Sequence, residues 1–555
     1  YLLKQDPTLE TLDILLQSYV QLAFGSSSFS MLTLNLFVLL VCSTLANVKA
    51  IQGSSLKHTE EAVLLQLTDS PPERQEAMRI NADLPDDRFN WCDALELLLP
   101  VILSLSLGWT SIYLIMTSLA RGSEYKAVLA MSVLAVFVEN LLYSSVFVDS
   151  LDFAYNLMQT EAESGWIVGM HKMGTSVGTF LVFCMFVQYP EIWRYRGLTV
   201  MFTGFGVQCV GGMAFGLCGL ANVYFGTTGK PFDTLVLLAR FLQGAGGGLQ
   251  VAFGLMQSAL LLTGLERSIQ NTRFYLGACL GMGTGPLLSS LSTATARLSH
   301  CQTQPGYEAT FAVCTLLPLI QLPMLRLAPK EVEPNEVEPE LGESSQGSST
   351  TPHRLQRIVV IVLCIILQAV RSFCTAAVEA AVSELLYTQY QWSRRTTGLT
   401  TAAMMFTMIP AQVFYERLGR NISVNKAIRF LLLTAAVGSA LNLFNSLAGL
   451  ITGACVVLPS LALSSGLIMG TMQVHNIPQS YVFDLNGTTL LSLILSDLFG
   501  RGVGPIAARM TIARGGQHEF GERQLLVGVL SILLYELVHV CAIEKQGEKA
   551  RQISQ

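Results

Sequence analysis

The sequence predicts an all-α, multi-pass membrane protein whose core contains two six-helix halves. Of its 555 residues, 51% are hydrophobic and 13% are charged, whereas a soluble domain carries about 25% charged residues. Apolar stretches of roughly 18 or more residues, long enough to cross a hydrocarbon core of about 30 Å, recur along the whole chain. A Gly-x-Gly-x-Gly-Pro pattern occurs twice, at 281–286 and 500–505, in matching places of the two halves.

Apolar windows define the predicted spans. Two additional N-terminal transmembrane helices are predicted at 29–48 and 96–119, on either side of a polar stretch. The core spans are predicted at 125–149, 165–188, 198–224, 232–262, 272–295, 308–327, 356–388, 396–416, 427–446, 448–473, 487–512 and 522–543.

A polar segment at 328–354 divides the core spans six and six. It combines Glu and Pro residues with a Ser/Gly/Thr run, and this composition, which cannot bury a core, predicts a disordered acidic linker. The predicted domains are therefore an N-terminal extension (1–124), a first bundle (125–327), the linker, a second bundle (355–543) and a cytoplasmic tail (544–555). The two glycine–proline patterns then lie in the fifth span of each bundle, which indicates parallel halves.

The distribution of Lys and Arg predicts the orientation. Counting these residues in short loops places the linker and both termini in the cytoplasm. The acidic segment 150–164, which has no Lys or Arg, then lies on the opposite side. The pairs Arg394/Arg395 and Arg509/Arg514 disagree with this count.

Composition and motifs also limit the class of function. A net charge of −5 gives no indication of nucleic-acid binding, and the chain has no metal-ligand spacing or cofactor motif. No Ser/His/Asp order, phosphate-binding loop or paired-carboxylate set lies in a plausible site, so an enzyme is not expected. The expected partners are the lipid bilayer and a small-molecule or ion substrate.

Ionisable residues within the apolar spans are the candidate substrate- and proton-binding residues. Each costs at least about 2.5 kcal/mol at the bilayer centre if it has no partner, so most should face a cavity between the halves or one another. Together with Gln243, the candidates are Glu139, His171, Lys172, Arg240, Arg371, Glu379, Asp497 and Arg501.

Several acidic and basic candidates also have a structural interpretation. Glu139 and Glu379 can titrate in a proton-coupled cycle or form interhelical hydrogen bonds. Lys172 can extend along its helix to the membrane surface. Asp497 and Arg501, four residues apart, can form a local ion pair that only braces their helix.

The basic candidates would together suit an anion. If they point inward, His171, Lys172, Arg240 and Arg371 make a positively charged cavity. The alternative for Arg240 is that it braces its own helix against neighbouring helices.

Three motifs carry a resemblance to a known family. Arg240-x-x-Gln243-Gly244-x-Gly246, in the fourth core span, resembles motif B of the major facilitator superfamily. The glycine–proline pattern in the fifth span resembles its motif C, and Glu416-Arg417-Leu418-Gly419-Arg420, after the eighth span, is similar to its motif A. The equivalent loop of the first half, 189–197, departs from motif A.

The resemblance implies a major-facilitator-like core of 6 + 6 helices with contacts that gate their movement. It implies a cytoplasmic latch at Glu416, Arg417, Gly419 and Arg420. Packed, bendable helix seams between the bundles are expected at Gly244, Gly281, Gly285, Pro286, Gly500, Gly504 and Pro505.

Several shorter segments resemble the lysosomal ceroid-lipofuscinosis branch of this superfamily. They include Tyr-Ser-Ser-Val at 143–146, Gly165-Trp166, and Leu-Glu-Arg-Ser at 265–268. This resemblance implies an endolysosomal or other organelle membrane and the movement of small solutes or anions. The plasma membrane is the alternative residence.

The leading functional hypothesis is secondary active transport of a small solute by alternating access between the two bundles. Proton coupling, as symport or antiport, and an anionic substrate are its more specific forms. An anion channel on the same scaffold and a non-transporting membrane receptor or scaffold are the alternatives. A channel would give single-channel currents, whereas a transporter would saturate and show counterflow.

Overall fold

The computed structural model describes most of the predicted core. The described residues are 124–157, 160–188, 192–262, 264–298, 314, 317–321, 351–411, 423–477, 480 and 482–554. All of them belong to one compact unit, Asn90–Gln555. The two predicted N-terminal helices, most of the predicted sixth span and of the linker, and the predicted latch residues Glu416, Arg417, Gly419 and Arg420 lie outside the described residues.

The described residues form α-helices, with a 3-10 turn at Leu317–Gln321 and a π-helical turn at Ser496–Gly502. The first lobe contains α1 (Glu124–Ser144), α2 (Asp149–Asn156), α3 (Glu161–Gln188), α4 (Ile192–Phe225), α5 (Lys230–Leu261) and α6 (Gly264–Leu298). The second lobe contains α7 (Thr351–Thr388), α8 (Arg394–Phe406), α9 (Val424–Leu441), α10 (Leu447–Val474), α11 (Leu485–Leu495) and α12 (Val503–Ser554). No strand occurs in this part of the chain.

Seven helical stretches of the described chain are long and apolar enough to cross a membrane, or eight if α1 and α2 form one bent span. Twelve core spans were expected; the sixth lies mostly outside the described residues, and the remaining difference has physical causes. The helix α8 has only 13 residues, and α6 is rich in Gly, Ser and Thr, which lower its mean hydropathy. The eleventh and twelfth predicted spans lie together in one stretch, Leu485–Cys541, which bends at Gly516, where φ is 64°.

Three predicted boundaries differ from the structure. The predicted loop 150–164 contains α2, because the chain bends by 50° after α1 and immediately becomes helical again. The predicted linker ends within a helix, since α7 begins at Thr351 with Pro352 in its first turn, where a missing N–H is tolerated. The predicted tail is helical as far as Ser554.

Short polar residues begin several of the helices. The side chains of Ser393, Ser446 and Asp484 each accept a hydrogen bond from the backbone N–H three residues later, at the starts of α8, α10 and α11. Such caps satisfy donors that have no partner within the helix. Pro231 stands at the start of α5, where its fixed φ favours the first turn.

Large apolar side chains cover the outer faces of the helices. Phe430 and Leu433 on α9, and Leu526 and Leu533 on α12, are exposed. Contiguous apolar surface of this kind is unfavourable in water and suited to lipid, because lipid tails offer no hydrogen-bond partners and helices need none. The outer surface therefore agrees with a chain that lies within a bilayer.

Two helix contacts join the lobes. The helix α3 packs against α11, the π-helical turn and α12, while α6 packs against α8. Hydrogen bonds cross the same boundary, among them those from Ser176 Oγ to the carbonyl oxygen of Ile494 at 2.9 Å and from Tyr275 Oη to that of Ala462 at 2.7 Å. We call this contact region the lobe boundary.

The outer glycines of the two glycine–proline patterns pack inside their own lobes. A Cβ atom at Gly281 or Gly285 would overlap α1, at the carbonyl oxygen of Phe137 or at the side chain of Ser144. Likewise, a Cβ atom at Gly500 would lie 2.5 Å from Cβ of Ser372 on α7. Gly504 has the corresponding position, with the carbonyl oxygen of Phe373 at 3.0 Å from such an atom. The sequence interpretation placed these glycines between the bundles, whereas the packing places them within each bundle.

The middle glycine of each pattern faces the opposite lobe. A Cβ atom at Gly283 would lie 2.5 Å from the ring of Phe406 on α8, and one at Gly502 would lie 2.8 Å from Met173 on α3. The helix around Pro286 stays α-helical, whereas the second pattern overlaps the π-helical turn. The two copies thus share their packing scheme but differ in backbone form.

We predict that Gly281→Ala lowers the thermal unfolding midpoint of the purified protein by about 1–3 °C, because overpacking costs about 1–3 kcal/mol and the midpoint of a chain of this length shifts by about 1 °C per kcal/mol. The added methyl group would meet the backbone of α1, which cannot rotate away. Gly466→Ala is the matched control, since a Cβ atom at Gly466 in α10 has open space around it. Equal midpoints for the two variants would contradict the proposed close packing of α1 and α6.

Candidate functional site

Glu139 on α1 is the centre of a buried polar cluster in the first lobe. Its Oε1 atom accepts hydrogen bonds from Lys172 Nζ and Thr175 Oγ1, each at 2.7 Å. Its Oε2 atom lies 2.8 Å from His171 Nε2. All four residues are buried. The cluster therefore joins α1 to α3 through one carboxylate with three polar partners.

The glycine run of α5 makes room for this cluster. A Cβ atom at Gly247 would lie 3.0 Å from Glu139 Oε2. Cβ atoms at Gly244 and Gly248 would overlap the backbone of α3 at His171 and Thr175. Because these positions have no side chain, α3 can lie directly on α5 with the carboxylate of α1 beside it. Gly244, predicted as a seam residue, therefore packs within the first lobe.

Lys172 is buried and does not extend to the membrane surface. Besides its ion pair with Glu139, its Nζ atom donates to Asn140 Oδ1 at 3.3 Å and lies 4.8 Å from the ring centre of Tyr143. The opposite charges of Lys172 and Glu139 compensate each other where water is excluded. Removing one partner of such a pair leaves the other charge buried without a partner, which lowers the stability of the folded protein by about 3–5 kcal/mol.

Arg240 on α5 connects several elements of the first lobe. It donates to the carbonyl oxygens of Ile167 at 3.2 Å and Leu142 at 3.3 Å, and to Gln243 Oε1 at 2.6 Å. Its guanidinium group also lies 5.0 Å from the ring centre of Phe215. Gln243 in turn donates to the carbonyl oxygen of residue 314 at 3.1 Å. This geometry favours the bracing interpretation of Arg240 over direct contact with a substrate.

Arg371 on α7 has a similar bracing arrangement in the second lobe. It donates to Gln368 Oε1 at 2.8 Å, to the carbonyl oxygen of Leu461 at 2.9 Å and to Ser372 Oγ at 3.0 Å. All these acceptors lie on α7 and α10. Arg371 therefore holds two helices of one lobe together, and its donors are already occupied.

Glu379 on α7 differs from the other buried acids. It is fully buried, and neither of its carboxyl oxygens has a hydrogen-bond partner among the described residues. The cationic charges that act on it come from Arg501 and Arg371 of its own lobe and from Lys172 of the first lobe. Glu379 is thus a buried carboxyl group that lies within electrostatic reach of both lobes and has free acceptors.

Arg501 crosses the lobe boundary instead of pairing with Asp497. Its Nη1 atom donates to Asn140 Oδ1 on α1 at 2.7 Å. Asp497 is buried in the same π-helical turn, but the two residues, both described, form no ion pair within 4.0 Å. The local pair that the spacing allows does not form, and the turn lies against α3, with Gly502 on Met173, so that Arg501 faces the first lobe.

Three polar residues of this region were not among the predicted site residues. Asn140 connects Lys172 and Arg501, Thr175 binds Glu139, and Tyr143 is fully buried with no hydrogen-bond partner for its hydroxyl group among the described residues. Each lies next to a predicted residue or one helical turn from it. A search for polar neighbours at helical spacing around Glu139 and His171 would have found them.

The candidate residues form two groups with different capacities. Glu139, Lys172, Arg240, Gln243 and Arg371 are held by short contacts inside one lobe. By contrast, Arg501 donates across the lobe boundary to Asn140, and the carboxyl group of Glu379 and the hydroxyl group of Tyr143 have no hydrogen-bond partner among the described residues. Among the described residues, no group of three or more His, Cys, Asp or Glu side chains could hold a metal ion.

Comparisons with known proteins agree with this geometry. Residues 128–505 match the family model of the Major Facilitator Superfamily. The fold is similar to the crystal structure of a D-xylose-proton symporter, with a TM-score of 0.54 and 15% identity over 74% of this chain and 97% of that chain. It is also similar to the xylose transporter XylE from E. coli in a partially occluded inward open conformation, with a TM-score of 0.55 and 14% identity over the same shares. A comparison with curated proteins finds no match.

We predict that Glu139→Met and Lys172→Met each lower the stability of the folded protein by about 3–5 kcal/mol, because each leaves one charge buried without its partner. The double variant Glu139→Met/Lys172→Met should recover a large part of this loss. Thermal unfolding in detergent is the measurement. Glu536→Met, whose partner Arg429 is exposed, is the control and should change little. A double variant whose loss equals the sum of the two single losses would contradict the buried pair.

Proposed function

Because the chain belongs to the major facilitator superfamily, we propose that it is a proton-coupled secondary transporter that moves a small anionic solute by alternating access. It is an integral, multi-pass membrane protein with two lobes. The observation that carries the proposal is Glu379, a fully buried carboxyl group without a hydrogen-bond donor among the described residues. The chemistry of its surroundings supports both the proton and the anion.

Burial supports Glu379 as the residue that carries the proton. An ionised carboxylate without partners costs several kcal/mol in a dry interior, whereas the protonated form is neutral. The closed lobe boundary therefore favours a protonated Glu379. When the lobes part and water enters, the carboxyl group can ionise and release its proton to that side.

Glu139 has a different role in this proposal. Lys172, Thr175 and His171 hold both of its oxygens. Such contacts stabilise the ionised form in every state in which the first lobe stays intact. We therefore assign Glu139 to positioning Lys172, and through it Asn140, and we assign proton exchange to Glu379.

Arg501 supports an anionic substrate. Its hydrogen-bond acceptor across the lobe boundary is the neutral amide of Asn140, and no acidic side chain among the described residues forms an ion pair with it. A guanidinium group offers several donors in a planar fork that matches a carboxylate. A substrate carboxylate can replace Asn140 as the acceptor when the boundary opens.

The two residues explain how the proton and the anion are coupled. The negative charge of ionised Glu379 acts on Arg501, so it opposes the binding of a second negative charge nearby. Protonation of Glu379 removes that charge and leaves Arg501 available for the substrate. Proton and anion therefore bind together, which is symport. An acidic lumen, as the endolysosomal resemblance implies, would supply the driving gradient.

We predict that Glu379→Gln abolishes the dependence of uptake on a pH gradient and leaves folding intact, because a neutral amide replaces a neutral carboxyl group. The assay uses proteoliposomes that contain a pH-sensitive dye and receive radiolabelled mono- and dicarboxylates outside. Glu522→Gln, at an exposed residue of α12, is the control. Wild-type pH dependence in Glu379→Gln would contradict the assignment. Uptake without counterflow, with unitary currents, would favour the channel alternative.

We predict that Arg501→Gln raises the half-saturating carboxylate concentration at least about tenfold, since a hydrogen bond to a charged group contributes about 1.5–3 kcal/mol. Arg501→Lys should retain part of the affinity because the charge remains without the fork. Arg514→Gln, at an exposed arginine of the same helix, serves as the comparison. The absence of carboxylate uptake by the wild-type protein, or an unchanged affinity in Arg501→Gln, would refute the anionic substrate.

A further inference from the structure

One end of the lobe boundary is held by two arginines of the second lobe. Arg394, at the start of α8, has its Nε atom 2.5 Å from Asp152 Oδ2 on α2. The second oxygen of Asp152 accepts a hydrogen bond from Tyr387 Oη on α7 at 3.1 Å. Only 16% of the Arg394 side chain and 13% of the Asp152 side chain are exposed. Both oxygens of this first-lobe carboxylate therefore contact the second lobe.

The second arginine, Arg509 on α12, is fully buried beside this pair. Its Nη2 atom donates to the carbonyl oxygen of Phe147 and to Ser150 Oγ, each at 2.9 Å, and its Nη1 atom donates to Ser164 Oγ. These three acceptors belong to the first lobe. Its acidic partner, Glu384 on α7 at 3.4 Å, belongs to its own lobe.

The helix α2 is fixed to the first lobe and moves with it. Ser289 Oγ on α6 donates to Asp149 Oδ2 at 2.5 Å. Phe153 meets Phe215 of α4 edge to face, with ring centres 6.1 Å apart. These contacts attach α2 to the first lobe. The contacts between Asp152 and the second lobe are therefore lost when the two lobes separate.

The groove at the opposite end of the boundary is lined by uncharged residues. The helices run antiparallel, so the ends of α5 and α10 and the starts of α6 and α11 lie at the end away from α2. A groove between the lobes is found there, lined by Leu255, Met256, Asn271, Gln473, Asn486 and Thr489. The charged contacts and the groove are therefore at opposite mouths of one boundary.

We propose that Asp152, Tyr387 and Arg394 form the lock of a transport gate at the α2 mouth. Alternating access requires this mouth to open in part of the cycle. Opening separates Asp152 from Arg394, because they belong to different lobes. The lock thus stabilises the state that is closed at the α2 mouth, and its strength sets how often the mouth opens.

Arg509 seals the same mouth without being its lock. When the lobes part, Arg509 loses its hydrogen bonds to the two hydroxyl groups and the carbonyl oxygen of the first lobe, and water replaces them. It keeps the carboxylate of Glu384, which belongs to its own lobe. Its charge stays compensated in both states, which avoids the penalty of stranding a buried charge. The gate therefore combines two ion pairs. Opening separates Asp152 from Arg394, whereas Arg509 and Glu384 move together with the second lobe.

The two charged pairs make the gate testable without knowledge of the substrate. Hydrogen–deuterium exchange is measured on the full chain in lipid nanodiscs, without solute or pH gradient, over peptides 145–157 and 384–400. Asp152→Asn and Arg394→Gln should each speed exchange in both peptides roughly fivefold, as expected for a partly buried pair. The swapped variant Asp152→Arg/Arg394→Asp should return both peptides towards the wild-type rate.

The matched control is an ion pair inside the second lobe. Arg429 and Glu536 join α9 to α12 at 2.6 Å and are about 41% and 42% exposed. Arg429→Gln should leave exchange at 145–157 and 384–400 unchanged. Wild-type exchange in Asp152→Asn, or a swapped variant that exchanges as fast as the single variants, would overturn the lock. The proposal rests on alternating access but not on proton coupling, so failure here leaves the role of Glu379 standing, and loss of that role leaves the gate standing.

Discussion

The ion pair between Glu139 and Lys172 is the contact around which the first lobe is arranged. Two charges buried in a dry interior are tolerated only when they neutralise each other at short range, and here the separation is 2.7 Å. The pair requires α1, α3 and α5 to converge at one level, and Gly247 leaves the space that the carboxylate occupies. The glycine run of α5 therefore provides the space in which the polar cluster is packed.

The same constraint decides the roles of the remaining buried charges. Arg240 and Arg371 direct their donors to backbone carbonyls and amide side chains of their own lobes, which makes them braces. Arg509 is compensated by Glu384 and sends its other donors across the boundary. Glu379 is the exception, because its buried oxygens lack donors among the described residues. A protein keeps such a group at a cost in stability, so the exception points to function.

Sequence reasoning identified the class of the fold and many of the buried charges, because both depend on composition and hydropathy along one chain, but it missed buried Arg509 and Glu384. It could not decide which charges meet, since that depends on the rotation of each helix. The spacing of four allowed Asp497 and Arg501 to pair, whereas Arg501, in the π-helical turn, donates to Asn140 instead. The gate residues were missed because α2 follows a bend that hydropathy windows cannot resolve. A signal was nevertheless present: Arg394 and Arg509 are members of the pairs that disagree with the positive-inside count, and both lie at the lobe boundary.

The two glycine–proline patterns differ in a way that agrees with the proposed coupling role of the second lobe. In both copies the outer glycines fix the helix to its own lobe and the middle glycine, Gly283 or Gly502, meets the other lobe. Only the second copy adds a π-helical turn, which carries Arg501 to the boundary opposite Glu139 and Lys172. The first lobe thus contributes the neutralised pair of Glu139 and Lys172. The second lobe contributes Arg501 and Glu379, which in the proposed cycle can bind a substrate and a proton. In the proposed cycle, only the second lobe changes its charge, and the first lobe keeps its neutralised pair in every state.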